Sequence, residues 1–161
     1  PKYGVHFILG NHDYWDDPIL IRDTLESFGA RDLTGKTHVI GEGARAFALT
    51  GIDDAWFGTP RRQLPLAQSA SPLILLTHES DILLDLPDDL VDLVFLGHTH
   101  GGQVRLPGYG SLTKLPQSTP AWLDRGLKTW RGMRLLISQG IGESLARVRL
   151  FARPQIVIVD L

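Results

Sequence analysis

The sequence predicts an α/β fold, and three observations predict it. First, the apolar runs Val5-His6-Phe7-Ile8-Leu9, Leu73-Ile74-Leu75-Leu76 and Leu93-Val94-Phe95-Leu96 have the length and composition of buried strands. Second, each run stops abruptly at a polar segment carrying histidine: Gly10-Asn11-His12-Asp13, Thr77-His78-Glu79 and Gly97-His98-Thr99-His100. Third, residues 17–29 carry helical signals between the first two of these junctions. Ligands of open α/β sheets gather beyond the carboxyl ends of the strands, so the three histidine segments are expected to converge in one crevice.

The elements follow in order. The run 5–9 reads as a buried strand that delivers Gly10-Asn11-His12-Asp13 into a loop. In residues 17–29, Ile19, Ile21, Leu25 and Phe28 recur near helical spacing, Pro18 suits the first turn and Gly29 the stop, which predicts one amphipathic helix. Residues 37–40 and 44–50 flank Gly41-Glu42-Gly43, a connection of hairpin length, and read as an antiparallel pair. Gly51-Ile52-Asp53-Asp54 then breaks the pattern. Residues 101–121 are rich in Gly, Pro, Ser and Thr and read as a long loop, and two closing strands are expected near 133–138 and 155–161. No internal repeat, low-complexity tract or interdomain linker interrupts the chain.

Composition narrows the chemistry. At 161 residues, 43% hydrophobic and 21% charged, the chain has the material for the core of one domain or a large piece of one. A net charge of −2 gives no footprint for nucleic acid, and no nucleic-acid partner is expected. The absence of cysteine excludes disulfides, thiolate metal sites and cysteine nucleophiles, so any metal must be held by nitrogen and oxygen. No apolar run approaches the roughly 18 residues of a membrane span. Pro1 brings neither an initiator Met nor a signal-peptide pattern, and a preceding portion of the protein is expected.

Imidazole is a common ligand of borderline metals and an Asn carbonyl oxygen can complete such a site, so Asn11, His78, His98 and His100 form a coherent donor set. Positions 98 and 100 are two apart, and an extended backbone there would project both rings to the same side. Gly97, Gly101 and Gly102 would allow a close approach of backbone to substrate. Each motif alone has a plainer reading as a turn or a packed histidine; the three in this order, each ending an apolar strand, favour a site. His6 and His38 are assigned no role. Tyr14 and Trp15 read as packing residues or as an apolar wall beside the site. Arg105 reads either as a phosphate contact or as an exposed loop arginine, and Arg61-Arg62 as a solvated pair.

Ile8-Leu9-Gly10-Asn11-His12-Asp13, Leu76-Thr77-His78-Glu79 and Leu96-Gly97-His98-Thr99-His100-Gly101-Gly102-Gln103 resemble the third, fourth and fifth sequence blocks of the calcineurin-like metallophosphoesterases. Tyr3-Gly4-Val5, Gly51-Ile52-Asp53-Asp54, the stretch 101–107 and Arg153-Pro154-Gln155-Ile156 look more narrowly like a bacterial subgroup often tethered to membranes. The resemblance runs over nearly the whole chain. It implies a four-layer αββα sandwich of which residues 1–161 supply the C-terminal part as a single partial domain, with a dinuclear site at one edge. It makes Asn11, His78 and His98 ligands of one divalent metal and His100 a ligand of the other, the ions being Mn, Fe or Zn. His12 would be the catalytic histidine that faces substrate without binding metal.

The resemblance also implies an Asp-x-His block and a Gly-Asp-x-x-Asp or Glu block upstream, which this sequence lacks, and truncation is the expected reason. The implied activity of the complete protein is hydrolysis of phosphodiesters or phosphomonoesters by a hydroxide bridging two metals about 4 Å apart, with His12 protonating the leaving alkoxide. Nucleotide- or lipid-linked phosphoesters are the implied substrates, a membrane tether would precede Pro1, and the chain is expected to be monomeric. The alternatives are a noncatalytic truncated or pseudoenzyme domain, and a mononuclear hydrolase using Asn11, His78 and His98.

Overall fold

A computed structural model of the chain describes residues 1–60, 72–112 and 117–160. Its centre is a mixed sheet in the order β3-β4-β5-β6-β10-β9, formed by Thr37–Ile40 (β3), Phe47–Gly51 (β4), Leu73–Leu76 (β5), Leu93–Leu96 (β6), Gly126–Trp130 (β9) and Met133–Ile137 (β10). Strands β4, β5, β6 and β10 run parallel, while β3 and β9 close the two edges antiparallel. Val5–Phe7 (β1) and Ala30–Asp32 (β2) form a separate parallel pair, and Arg105–Leu106 (β7) with Gly110–Ser111 (β8) a short ribbon. The fold is α/β, with helices only at Asn11–Trp15 (α1) and Pro18–Ser27 (α2) apart from single 3-10 turns among the described residues.

Strict alternation along the central strands builds the core. Leu75, Val94, Leu96, Met133, Leu135 and Ile137 bury on one face with Ile82, Leu83 and Leu123. Ile74 faces the other way with Leu33, Ile40 and Leu49, and Leu76, Leu93 and Phe95 pack against that second cluster. Side chains two apart share a face of a strand, so the unbroken apolar runs 73–76 and 93–96 mark strands covered on both sides.

Several expectations change in the structure. The motif 10–13 is not a loop: Gly10 is the N-cap of α1, and Asp13 Oδ2 accepts from the Gly10 amide at 2.7 Å. The helix expected at 17–29 forms as α2, with Asp17 accepting from the Ile19 and Leu20 amides and Gly29 at φ +83, yet none of its residues is buried. Residues 101–121 contain the β7–β8 ribbon. The strand expected at 155–161 does not form over the described residues 155–160, and Ile156 and Ile158 stand exposed. Strand β9 was not expected. The pair Arg61-Arg62 lies outside the described residues.

Asp32 ties α2 to β2. Its buried carboxylate meets Arg22 Nε at 3.1 Å and Lys36 Nζ at 3.2 Å, and accepts from the Thr34 amide at 2.9 Å. Burial opposes ionisation, but the Thr34 hydrogen bonds and Lys36 outweigh it and hold the carboxyl below its ordinary 3.8. A depressed acid stabilises the fold above its unfolded pKa and loses that contribution as pH falls through the folded value. Asp32→Asn is therefore expected to lower the urea midpoint at pH 7, and the gap from the parent chain should close as the pH is taken below 3.8.

Candidate functional site

The parallel strands place the histidine segments. β5 and β6 are neighbours in parallel register, so Thr77-His78 and Gly97-His98 leave the sheet side by side, and the Gly97 amide donates to the His78 carbonyl at 3.2 Å. The 3–33 unit reaches the same end: Leu33 N donates to Phe7 O, and Gly51 at the end of β4 lies against Ile8 and Leu33. This brings Asn11 to His78, with Asn11 Oδ1 and His78 Nε2 3.0 Å apart. Gly10 makes the approach feasible, since a Cβ there would sit 2.7 Å from the His78 ring. The His78 and His98 rings meet edge to face at 5.0 Å between centroids.

Asn11 is buried, and His78, His98 and His100 are half-buried. Burial, then the neighbouring His98, depress His78 to about 4, so its ring is neutral at physiological pH and keeps a lone pair. His100 is also lowered, first by burial. Its Nδ1 lies 3.1 Å from the Gly142 carbonyl and 3.4 Å from a guanidinium nitrogen of Arg149. His12 is exposed, stacked on Trp15 at 4.3 Å, with Nε2 3.4 Å from Ser144 Oγ.

Two sequence expectations fail here. Residues 98–100 are not extended: His98 (φ +64) and His100 (φ +50) both adopt left-handed backbone, and a 3-10 turn begins at His100. The two rings are therefore aimed by a tight turn rather than by strand pleat. Arg105 is neither a phosphate contact nor an exposed arginine. It is buried, paired with Asp124 and donating to the Gly101 carbonyl at 2.9 Å, so it holds the glycine turn after His100 from behind. Tyr14 gives its hydroxyl to Asp53, and Trp15 is exposed beside His12.

Glu79 was missed by sequence reasoning. It is fully buried next to His78, and His78, Glu79 and His98 present ligand atoms within 4.8 Å of one another. Its Oε2, however, accepts from the Ala55 amide at 3.1 Å. Burial, then a hydrogen bond to Asp54, raises its pKa to about 8. Asp54 Oδ2 and Glu79 Oε1 have no other partner, which a shared proton resolves. Neutral imidazoles and an amide oxygen make a donor set chemically suited to a divalent cation.

Comparison with known proteins finds relatives of the chain. The chain is 32% identical over 156 residues to the phosphodiesterase YaeI of Escherichia coli (strain K12), covering 95% of this chain and 56% of that protein. It is 29% identical over 162 residues to the uncharacterized metallophosphoesterase YkoQ of Bacillus subtilis (strain 168), covering 97% and 59%. Over 106 residues it is 34% identical to the UDP-2,3-diacylglucosamine pyrophosphatase LpxG of Chlamydia muridarum (strain MoPn / Nigg), covering 62% and 32%. The chain thus spans less than two thirds of the length of these curated relatives. No family model matches it, and no solved structure matches it.

Proposed function

The chain belongs to the calcineurin-like metallophosphoesterase family, and from that premise we propose that its histidine loops are part of a metal centre that hydrolyses phosphoester bonds. The observation that carries this reading is the convergence of Asn11 Oδ1, the neutral His78 ring and His98 at the carboxyl ends of adjoining elements. The family implies divalent metal ions. In this reading Asn11, His78 and His98 would hold one ion and His100 a second. Bound there, such ions would supply an activated water and neutralise charge on the phosphoryl oxygens.

The chain's own residues do the rest. His12 touches substrate rather than metal: it is the exposed histidine of the group, and as imidazolium it gives its proton to the departing alkoxide. Asp13 fixes the turn that presents it by accepting from the Gly10 amide. Trp15, stacked on the ring, limits its rotation. A phosphodiester is the substrate class best supported, through the relative named a phosphodiesterase and the relative named a pyrophosphatase of UDP-2,3-diacylglucosamine. The four-layer sandwich, and the ligands completing the centre, belong in this reading to the further length that the relatives possess.

His12 supplies the test. In the full-length protein loaded with manganese, His12→Ala should slow hydrolysis of an alkyl phosphodiester by about a hundredfold or more while metal content per chain stays constant. Metal lost together with activity would make His12 a ligand and remove it from the acid role.

A further inference from the structure

The turn 51–59 has no part in the reading above, yet it touches every histidine segment. Asp53 is buried and accepts from the Tyr14 hydroxyl, from the Asp54 amide at 2.9 Å, and from Thr59 through its amide at 2.7 Å and its hydroxyl at 3.3 Å. Asp54 is fully buried, and its Oδ1 accepts from the Trp56 amide at 3.0 Å and the Phe57 amide at 2.8 Å. The Ala55 amide donates to Glu79, beside His78.

The rings these carboxylates hold up are not core residues. Trp56 is 40% exposed and Phe57 49% exposed. Trp56 instead stands edge-on to His98, with centroids 4.7 Å apart at 88°. Phe57 stands edge-on to Trp15 at 5.8 Å, and Trp15 is stacked on His12. Tyr14, Asp53's partner, lies on α1 with Asn11 and His12. One short turn is therefore bonded to the helix carrying Asn11 and His12, to the residue after His78, and to the ring of His98.

We infer that Asp53 and Asp54 are positioning residues: by bracing the 53–59 turn they set the ring orientations of His98 and His12. This rests on the metal-centre reading, in which a ligand ring must be aimed by partners behind it. Asp54 acts through the Trp56 and Phe57 amides, and Asp53 through Tyr14. The Asp54–Glu79 contact links the same turn to the His78 segment.

The experiment uses the 161-residue chain with Zn2+ as the probe. Metal-free histidine ring resonances are followed by proton–nitrogen NMR, and Zn2+ affinity by calorimetry. Asp54→Ala should shift the His98 ring signals, and Tyr14→Phe, which keeps its aromatic ring, those of His12, with His38 unmoved in both. Asp54→Ala should weaken Zn2+ binding roughly ten- to a hundredfold. Asp54→Asn should restore it at least in part, because the amide oxygen still accepts from the Trp56 and Phe57 amides.

Tyr14→Phe removes a single hydroxyl, so it keeps the test open if Asp54→Ala does not fold. Unmoved His12 signals in Tyr14→Phe, or Asp54→Ala binding Zn2+ as tightly as the parent, would overturn the inference. A parent chain that binds no Zn2+ would count against the metal-centre reading alone, and the ring signals would still decide the positioning role.

Discussion

His78→Ala is expected to remove both metal binding and turnover. His78 is the meeting point of the site: its Nε2 faces Asn11 Oδ1, its ring touches His98, and Gly10 and Gly97 both approach it. Because the ring is already neutral, binding an ion displaces no proton from it at physiological pH. Losing this ligand forfeits the several kcal/mol of charge stabilisation that a bound metal supplies, on the order of a thousandfold or more in rate. Measured in the full-length protein, metal content by plasma emission and turnover of bis(p-nitrophenyl) phosphate should fall together. His38→Ala should leave both unchanged, since that ring lies 5.2 Å from His6 in the β1–β3 region and was assigned no role.

Leu135→Ala carries the largest expected effect on stability. Leu135 is fully buried in β10, between its pairing partners Val94 on β6 and Lys128 on β9, and it belongs to the cluster that also contains Leu75, Leu83, Leu123 and Met133. Truncation there loses the transfer free energy of the removed carbons and leaves a cavity in a rigid layer, a cost of about 2–5 kcal/mol. Leu127→Ala, on the exposed edge strand and 77% accessible, should change stability by about 0.5 kcal/mol or less. Urea denaturation of the two variants side by side measures the difference.

The parts of the fold legible in the sequence are those where local pattern and tertiary burial agree. Strands β5 and β6 are uninterrupted apolar runs because both their faces are covered, and their bounds match the runs 73–76 and 93–96. The hairpin β3–β4 was announced by its glycine connection, and α2 by Pro18 and Gly29. Strand β9 was not legible: Gly126-Leu127-Lys128-Thr129-Trp130 has one face toward solvent, and pairing with β10 rather than apolar content makes it a strand. The opposite error occurred at 155–160, where an apolar, β-branched run reads as a strand but pairs with no neighbour among the described residues. Propensity proposes a strand, and only an available sheet edge makes one.

The candidate site was legible as residue types but not as geometry. Asn11, His12, His78, His98 and His100 could be named because histidine recurs after each apolar run. The left-handed backbone at His98 and His100 could not be, since non-glycine residues take that conformation only when their surroundings impose it. Nor could the inward turn of Arg105, whose partner Asp124 lies in a segment that gives no local sign of it. Asp53 and Asp54 showed themselves as a break in the strand pattern and as part of a segment that carries the resemblance, with no role attached. Their meaning comes from Tyr14, 39 residues away, and from Glu79.

The most direct measurement of the central claim is an anomalous difference map from crystals of this chain soaked in zinc or manganese. The account predicts a peak within about 2.0–2.2 Å of Asn11 Oδ1 and a nitrogen of each of His78 and His98. A peak held by other residues, with none at this place, would contradict it.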